Sequence, residues 1–230
     1  MAHLRLLLCA LILCTSSSAF PFRGEERLLR SVVFHLEGAR EAAARGERAK
    51  AEALVQLVWN PLIRAEASDG ASMLQIQALE EAVAIWERAL GEAVSFSIVP
   101  SGHGQVRVKF ARDVYFCGWA AMGRVTCSRQ LLDYGWGSFG ANVSASIQIR
   151  THMNGAECEL PQMRHALAHE LGHVLGLDDS QVLGSLMGPQ LNGASPVQPT
   201  HDEVSSLMGL HWEARQVELL TKSKPGPAQC

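Results

Sequence analysis

Two histidines and a glutamate in this chain have a spacing that could bind and use a metal ion. They lie in the segment His169-Glu170-Leu171-Gly172-His173, so the histidines are four residues apart. On a helix, such residues share one face about one turn apart, and both imidazoles can reach one ion at about 2.0 to 2.1 Å. Glu170 is rotated by about 100 degrees from His169, toward a water molecule beside the ion. The chemistry that this arrangement can perform is hydrolysis by an activated water.

The residues that follow extend this pattern and supply a third ligand. Gly176 falls three places after His173, and Asp179 falls three places after Gly176. A left-handed turn at a glycine can bring the chain back toward the ion, whereas a continued helix would carry residue 179 away. Asp179 is therefore the predicted third ligand, and Asp178 is the nearest alternative. His165 is about 12 Å from His173 along the helix axis, too far to share the ion.

The extended pattern His-Glu-x-x-His-x-x-Gly-x-x-Asp resembles the motif of the metzincin zinc peptidases, whose usual third ligand is a histidine. The aspartate variant resembles the snapalysins, and the order of predicted elements between about 58 and 177 resembles the matrixin-like members. These families place a methionine turn below the zinc, and Met187 in the segment 185–189 has that position. The alternative for Met187 is simple core packing, because methionine is common in protein cores.

The resemblance implies a secreted zinc endopeptidase that hydrolyses peptide bonds. Zn²⁺ would be held by the two histidines and Asp179, with Glu170 as the catalytic residue and Gly176 and Met187 as structural residues under the metal site. The expected partner is a protein or peptide substrate, with no nucleic acid, no membrane after signal removal, and a monomeric chain. Two alternatives are a non-catalytic, zinc-stabilised binding protein of the same fold and a zinc amidase that acts on a small substrate.

Several features depart from the family pattern. Aspartate is a harder ligand than histidine and partly neutralises the charge of the ion, although zinc remains the predicted metal. No cysteine lies between residues 20 and 116, which excludes a cysteine latch on the metal from that segment. The sequence also has no calcium-loop pattern and no tyrosine after Met187. These family properties are therefore not carried over.

Apolar residues at regular spacing predict the elements that must position the site. A helix over 73–90 is predicted by residues that recur every three or four places and end at Gly91: Ile76, Leu79, Val83, Trp86 and Leu90. Trp86 belongs to this stripe, which favours core packing over ligand stacking. Alternating patterns predict strands at 94–98, 106–110 and 143–149, with further strands near 62–65 and 124–128.

Together with the resemblance, these elements imply an α+β fold, a metzincin-like zincin domain with a twisted, mostly parallel sheet. A long packing helix and an active-site helix at about 160–175 complete it, and the cleft should run along the edge of the sheet. Thr200 and Glu203 have capping-box spacing at the start of a final helix, so His201 is expected to be a surface residue of its first turn.

The first residues have the composition of a secretory signal, predicted as 1–19. Arg5 precedes an apolar run over 6–14, and small residues follow up to Ala19. The run is too short to cross a hydrocarbon core of about 30 Å. A lipid-modified Cys14 is the alternative. The net charge of −3 and the pI near 6.3 give no broad attraction to nucleic acid.

The remaining chain divides into three predicted parts. Residues from Arg23 to about Leu57 are predicted to form one amphipathic helix. The amphipathic helical segment 20–54 is either a pro-segment that covers the site or a helix packed on the domain. Residues 55–215 form the catalytic domain. Residues 216–230 form a flexible C-terminal tail.

Four cysteines remain after signal removal in an exported and therefore oxidising setting. Cys117 and Cys127 bracket a short glycine-rich loop and are the favoured pair, which leaves Cys158 with Cys230. A zinc-cysteine site is disfavoured because the chain has no Cys-x-x-Cys spacing. Asn142 begins a glycosylation acceptor pattern whose use depends on the host.

Overall fold

The computed structural model describes residues 27–116, 119–189 and 198–223. Its helices are α1 (Arg30–Ala44), α2 (Arg48–Val58), α3 (Met73–Leu90), α4 (Leu160–Leu175) and α5 (His201–Ser223). Its strands are β1 (Leu62–Ala67), β2 (Ser95–Ile98), β3 (Val106–Ala111), β4 (Tyr115–Phe116), β5 (Trp119–Ala120), β6 (Gly123–Gly135), β7 (Ser138–Arg150), β8 (His152–Met153) and β9 (Ala156–Glu157). Among these residues, no helix has both the length and the apolar character that crossing a bilayer requires.

A five-stranded sheet in the order β2-β1-β3-β7-β6 forms the centre of the fold. The pairs from β2 to β7 are parallel, and β6 runs antiparallel to β7 at the edge. The α+β class and the mostly parallel sheet predicted from the sequence are therefore confirmed. The two-residue period is clear in β3, where Val106 and Val108 are buried and Arg107 and Lys109 are exposed.

Helix α3 begins and ends where the sequence predicts. Ser72 and Gln75 form a reciprocal capping box at its start, and Gly91 follows its end with a φ of +56°. Trp86 is fully buried, and its indole Nε1 donates a 2.8 Å hydrogen bond to the carbonyl of Ala168. Helix α3 is thereby fixed against α4, which carries the two histidines.

Helix α4 also matches its predicted range and is buried along most of its length. Its main chain turns at Gly176, which has a φ of +118°. This conformation is costly for residues with a Cβ atom and explains the glycine at this position. The backbone therefore leaves the helix axis at the point that the sequence predicts.

The prediction of one amphipathic helix from Arg23 to about Leu57 is wrong. The chain instead reverses between α1 and α2 at Gly46, which has a φ of +76°. The two helices pack against each other through small and apolar side chains, namely Ala39, Ala42, Ala43, Ala51, Leu54 and Leu57. A glycine inside a helical pattern does not by itself indicate a reversal, so the periodicity concealed the turn. The predicted boundary at residues 54 and 55 falls inside α2.

The prediction of a flexible tail from residue 216 is also wrong as far as residue 223. Helix α5 continues to Ser223, with Val217 and Thr221 buried. Its C-terminal half stays ordered because it packs on α1 and α2, and Arg40 forms a 2.8 Å ion pair with Glu213.

Some predictions fall wholly or partly outside the described residues. The signal segment 1–19, Cys117 and Cys230 are among these, so neither disulfide pairing is tested. The two described cysteines, Cys127 and Cys158, form no disulfide with each other. Asn142 lies exposed on β7.

Candidate metal centre

Helix α4 presents His169 and His173 on one face, one turn apart. Their ring centroids are 4.9 Å apart, and the ring planes are nearly perpendicular. The helix cannot rotate freely under these rings, because its residues Leu167, Ala168 and Leu171 are fully buried in the core. The direction in which both imidazoles point is therefore set by the packing of the helix.

A backbone carbonyl orients each imidazole ring. The Nδ1 of His169 lies 2.9 Å from the carbonyl oxygen of Leu186, and the Nδ1 of His173 lies 2.9 Å from that of Leu177. A carbonyl can only accept a hydrogen bond, so both Nδ1 atoms carry the proton and donate it. When the rings are neutral, this leaves a lone pair on each Nε2 atom, which is the usual arrangement of histidines that bind metals.

The turn at Gly176 brings Asp179 to the two histidines. Its Oδ1 atom lies 3.2 Å from Nε2 of His169 and 3.5 Å from Nε2 of His173. Donor atoms about 2.0 to 2.2 Å from a tetrahedral ion are about 3.3 Å from one another, so these separations suit a zinc-sized ion. Within the described part of the chain, these three residues are the group whose side chains could hold a metal.

The charges of this cluster favour a cation between the three side chains. Hydrogen bonds from His169 and His173 lower the pKa of Asp179 well below its ordinary value, which keeps the carboxylate ionised. Burial alone lowers the pKa of His173, but its hydrogen bonds to Asp179 and Leu177 raise it on balance. A metal ion would replace the proton that these groups otherwise share.

The other residues considered as ligands lie elsewhere. The side chain of Asp178 accepts a 2.9 Å hydrogen bond from the backbone N–H of Asp179 and is not part of the cluster. His165 is buried and lines the neighbouring cleft, also outside the cluster. His201 is exposed in the first turn of α5, as expected.

Glu170 lies buried on the cleft side of α4. Burial raises its pKa, and the nearby His169 and His173 oppose that effect. Gly123, at the start of β6, is in contact with it: a Cβ atom on this glycine would overlap the carboxylate oxygen of Glu170. No sequence pattern indicates this contact, because the two residues are distant along the chain and the region around Gly123 contains many glycines.

Met187 lies beneath the histidine-bearing turn of α4. It is buried, and its sulfur occupies the space that a Cβ atom on Gly172 would need. Gly188 is similarly restricted, since a Cβ there would overlap the carbonyl oxygen of Val182. Gly172 thus allows the loop 185–188 to approach the helix closely, and Gly188 allows the loop to turn back against Val182.

Glu203 holds this loop in place from α5. Its buried carboxylate accepts hydrogen bonds from the backbone N–H groups of Met187 at 2.7 Å and Leu186 at 3.4 Å. It also accepts from the backbone N–H of Thr200 at 2.6 Å, which completes the predicted capping box. The capping role could be predicted from the spacing, but the bonds to the methionine-bearing loop could not.

A cleft of about 400 Å³ opens beside the three-residue cluster, a size within the range of ligand sites. Glu170 and Asp179 line it together with Met122 and Gly123, where β6 begins, and with Gly188 and Pro189 on the other side. The cleft therefore lies at the edge of the sheet.

Comparison of the chain with protein-family models found no match, and comparison with curated proteins found no similar sequence. The geometry of the site and the sequence motif are accordingly the basis for an assignment of function.

Proposed function

We propose that the protein is a secreted, monomeric zinc endopeptidase with a metzincin-like zincin fold, similar to the matrixins and snapalysins. The main support is the proximity of the His169, His173 and Asp179 donor atoms, with the buried Glu170 in the same cleft. Two imidazole nitrogens and one carboxylate oxygen leave room for a fourth ligand, as in catalytic rather than structural zinc sites.

The donor set suits zinc. Imidazole and carboxylate ligands both bind Zn²⁺, and the carbonyl-bound Nδ1 atoms of the two histidines support the tautomer that the metal requires. Zinc bound here would polarise the scissile carbonyl and lower the pKa of water.

Glu170 would carry the proton in this reaction. Its raised pKa makes the carboxylate a better proton acceptor than an ordinary glutamate. It would take one proton from the attacking water as the oxygen bonds to the carbonyl carbon. It would then give that proton to the amide nitrogen as the C–N bond breaks, so the carboxylate is restored at the end of the cycle.

The sheet edge offers a way to bind an extended peptide. Strand β6 is the last strand of the five-stranded sheet, and the cleft adjoins its first residue, Gly123. A peptide that lies along this edge can form main-chain hydrogen bonds and bring one of its amides to the cluster. This favours a peptide substrate over a small amide.

The proposal is tested by incubating the protein with a mixture of peptides, with and without a metal chelator. We expect cleavage that the chelator abolishes and added zinc restores. Cleavage of small amides alone would indicate an amidase, and zinc binding with no turnover of either substrate would indicate a binding protein. Both outcomes would contradict the proposal.

A change of Glu170→Gln tests the mechanism. It should lower kcat by about 10²- to 10⁴-fold because the amide cannot accept the proton, while the zinc content measured by mass spectrometry stays the same. Glu157→Gln, on an exposed strand, is the matched control and should behave as wild type. Normal activity of the Glu170→Gln protein would disprove the proposed role.

A further inference from the structure

We propose that residues 27–29 form a positioning strand, which holds the chain segment that carries Asp179 against the two histidines. The inference rests on the proposed metal site and extends it to a part of the chain that precedes the first helix. Residue 28 forms an isolated antiparallel bridge with Leu177. No side chain of the strand needs to contact the metal for this role.

Two backbone hydrogen bonds hold the positioning strand against the segment after α4. The N–H of Leu29 donates to the carbonyl of Gly176 at 2.8 Å, and the N–H of Asp178 donates to the carbonyl of Arg27 at 2.8 Å. Leu28 and Leu177 are both buried between these bonds. The main chain is therefore fixed on both sides of Leu177, up to the residue before Asp179.

This pairing acts on two of the three candidate ligands. The carbonyl of Leu177, at the centre of the paired segment, accepts the hydrogen bond from Nδ1 of His173. Asp179 follows the paired segment directly, and the next residue, Ser180, donates a 2.8 Å backbone hydrogen bond to Met187. The ligand loop is thus held at one end by residues 27–29 and at the other end by the methionine-bearing loop.

The pairing also bears on the predicted pro-segment. Most buried residues of α1 and α2 belong to the two hydrophobic clusters of the fold, and no residue of either helix lines the cleft beside Glu170. A peptidase whose mature chain began after residue 29 would lose the strand that supports its third ligand. The described part of the 20–54 segment therefore belongs to the working enzyme and is not a removable cover.

The proline variant Leu29→Pro removes one of the two hydrogen bonds selectively. Leu29 has a φ of −55°, which proline adopts without strain, and its N–H takes no part in the hydrogen bonds of α1. Leu29→Ala loses the same side chain but keeps the N–H, so it is the matched control. Zinc affinity is measured for both by competition with a chromophoric chelator, which does not require peptidase activity.

We expect the proline variant to bind zinc about tenfold more weakly than the alanine variant, a size typical of lost support behind a metal ligand. In an Asp179→Ala background, the same comparison should give only about a twofold difference, because Asp179 is gone and the strand then supports only His173, through the Leu177 carbonyl. Equal losses in both backgrounds would mean that the strand only stabilises the fold, and would overturn the inference. Equal zinc affinity of the two variants in the wild-type background would also overturn it.

A second variant keeps the test decisive if Leu29→Pro does not fold. A chain that begins at Leu29 keeps α1 but lacks the Arg27 carbonyl and the Leu28 bridge, and it should show the same dependence on Asp179.

Failure of the inference can be told from failure of the proposed function. A wild-type protein that binds no zinc contradicts the proposed function, whereas one that binds zinc and cleaves peptides regardless of residues 27–29 contradicts only the inference.

Discussion

The candidate metal centre has a helix side and a loop side, which differ in how their ligands are held. The side chains of His169 and His173 on α4 are 21% and 13% exposed, whereas that of Asp179 on the loop is 66% exposed. Burial of α4 and its regular geometry fix the two histidines. Asp179 depends on hydrogen bonds to segments that are far away in sequence. One site thus combines two ligands set by local structure with one set by tertiary structure.

The largest expected effect compares one ligand from each side. Zinc binding to a site of this kind has a free energy of about 10 to 16 kcal/mol. If the ligands contribute about equally, the loss of one ligand costs roughly 3 kcal/mol, or about a hundredfold in affinity. We expect His173→Ala to lose at least this much, because no other group can reach its buried position. Asp179→Ala should lose less, about tenfold, since water can replace an exposed carboxylate.

Both affinities can be measured by titration against a chelator, and both variants should lose peptidase activity. If Asp179→Ala weakens zinc binding more than His173→Ala does, the ligand on the helix does not contribute more to zinc affinity than the ligand on the loop, and this prediction is wrong.

A smaller effect is expected in the packing under the helix side. Gly172→Ala would place a Cβ atom against the buried sulfur of Met187 and 3.1 Å from the ring of Trp86. Overpacking of this kind costs about 1 to 3 kcal/mol, which should exceed the gain in helix propensity. The free energy of unfolding, measured by denaturant titration, should therefore fall.

Gly38→Ala in α1 is the matched control for this change. A Cβ there would lie 3.5 Å from Leu54, an ordinary contact, so the protein should become more stable by about 0.5 to 1 kcal/mol. Stabilisation by both substitutions would show that Met187 can move away from α4.

The smallest expected effect tests whether Glu170 depends on a distant strand. Gly123→Ala should displace the Glu170 carboxylate and lower kcat about tenfold, less than the hundredfold that a 1 Å misplacement can cause. Zinc affinity should not change, because Glu170 is not in the ligand group.

Gly104→Ala provides the control for this variant. It crowds Glu66 in the same way at a position that does not line the cleft, so it should lower stability without lowering the kcat of the folded protein. Equal kcat values for the two variants would show that Gly123 does not affect the position of the Glu170 carboxylate.

The sequence was most informative where function depends on local geometry. The interval of four between His169 and His173 and the glycine at 176 predicted the end of α4 and the group of three donor atoms. The alternation of apolar residues predicted strands β3 and β7. In each case the relevant neighbours lie within a few residues along the chain, so their relative positions follow from one helix or one strand.

Contacts between distant segments could not be predicted in this way. Nothing near Gly123 indicates that its missing side chain makes room for Glu170, because 20 glycines in the chain have many separate causes. The backbone carbonyls of Leu177 and Leu186 that orient the two histidines could not be identified from the sequence, since every residue has a carbonyl. The reversal of the chain at Gly46 also could not be predicted, because it depends on the packing of α1 against α2 and α5.

The pairing of Leu28 with Leu177 has a consequence for the order in which the chain assembles. Residues 27–29 leave the ribosome before the sheet strands do, and their partner segment is made only after all five strands have been synthesised. Contacts between such distant residues form late, because a long loop must close first. The bonds from Glu203 to the methionine-bearing loop come from a still later segment. During synthesis, the two histidines can therefore be in place on their helix well before the aspartate is held beside them.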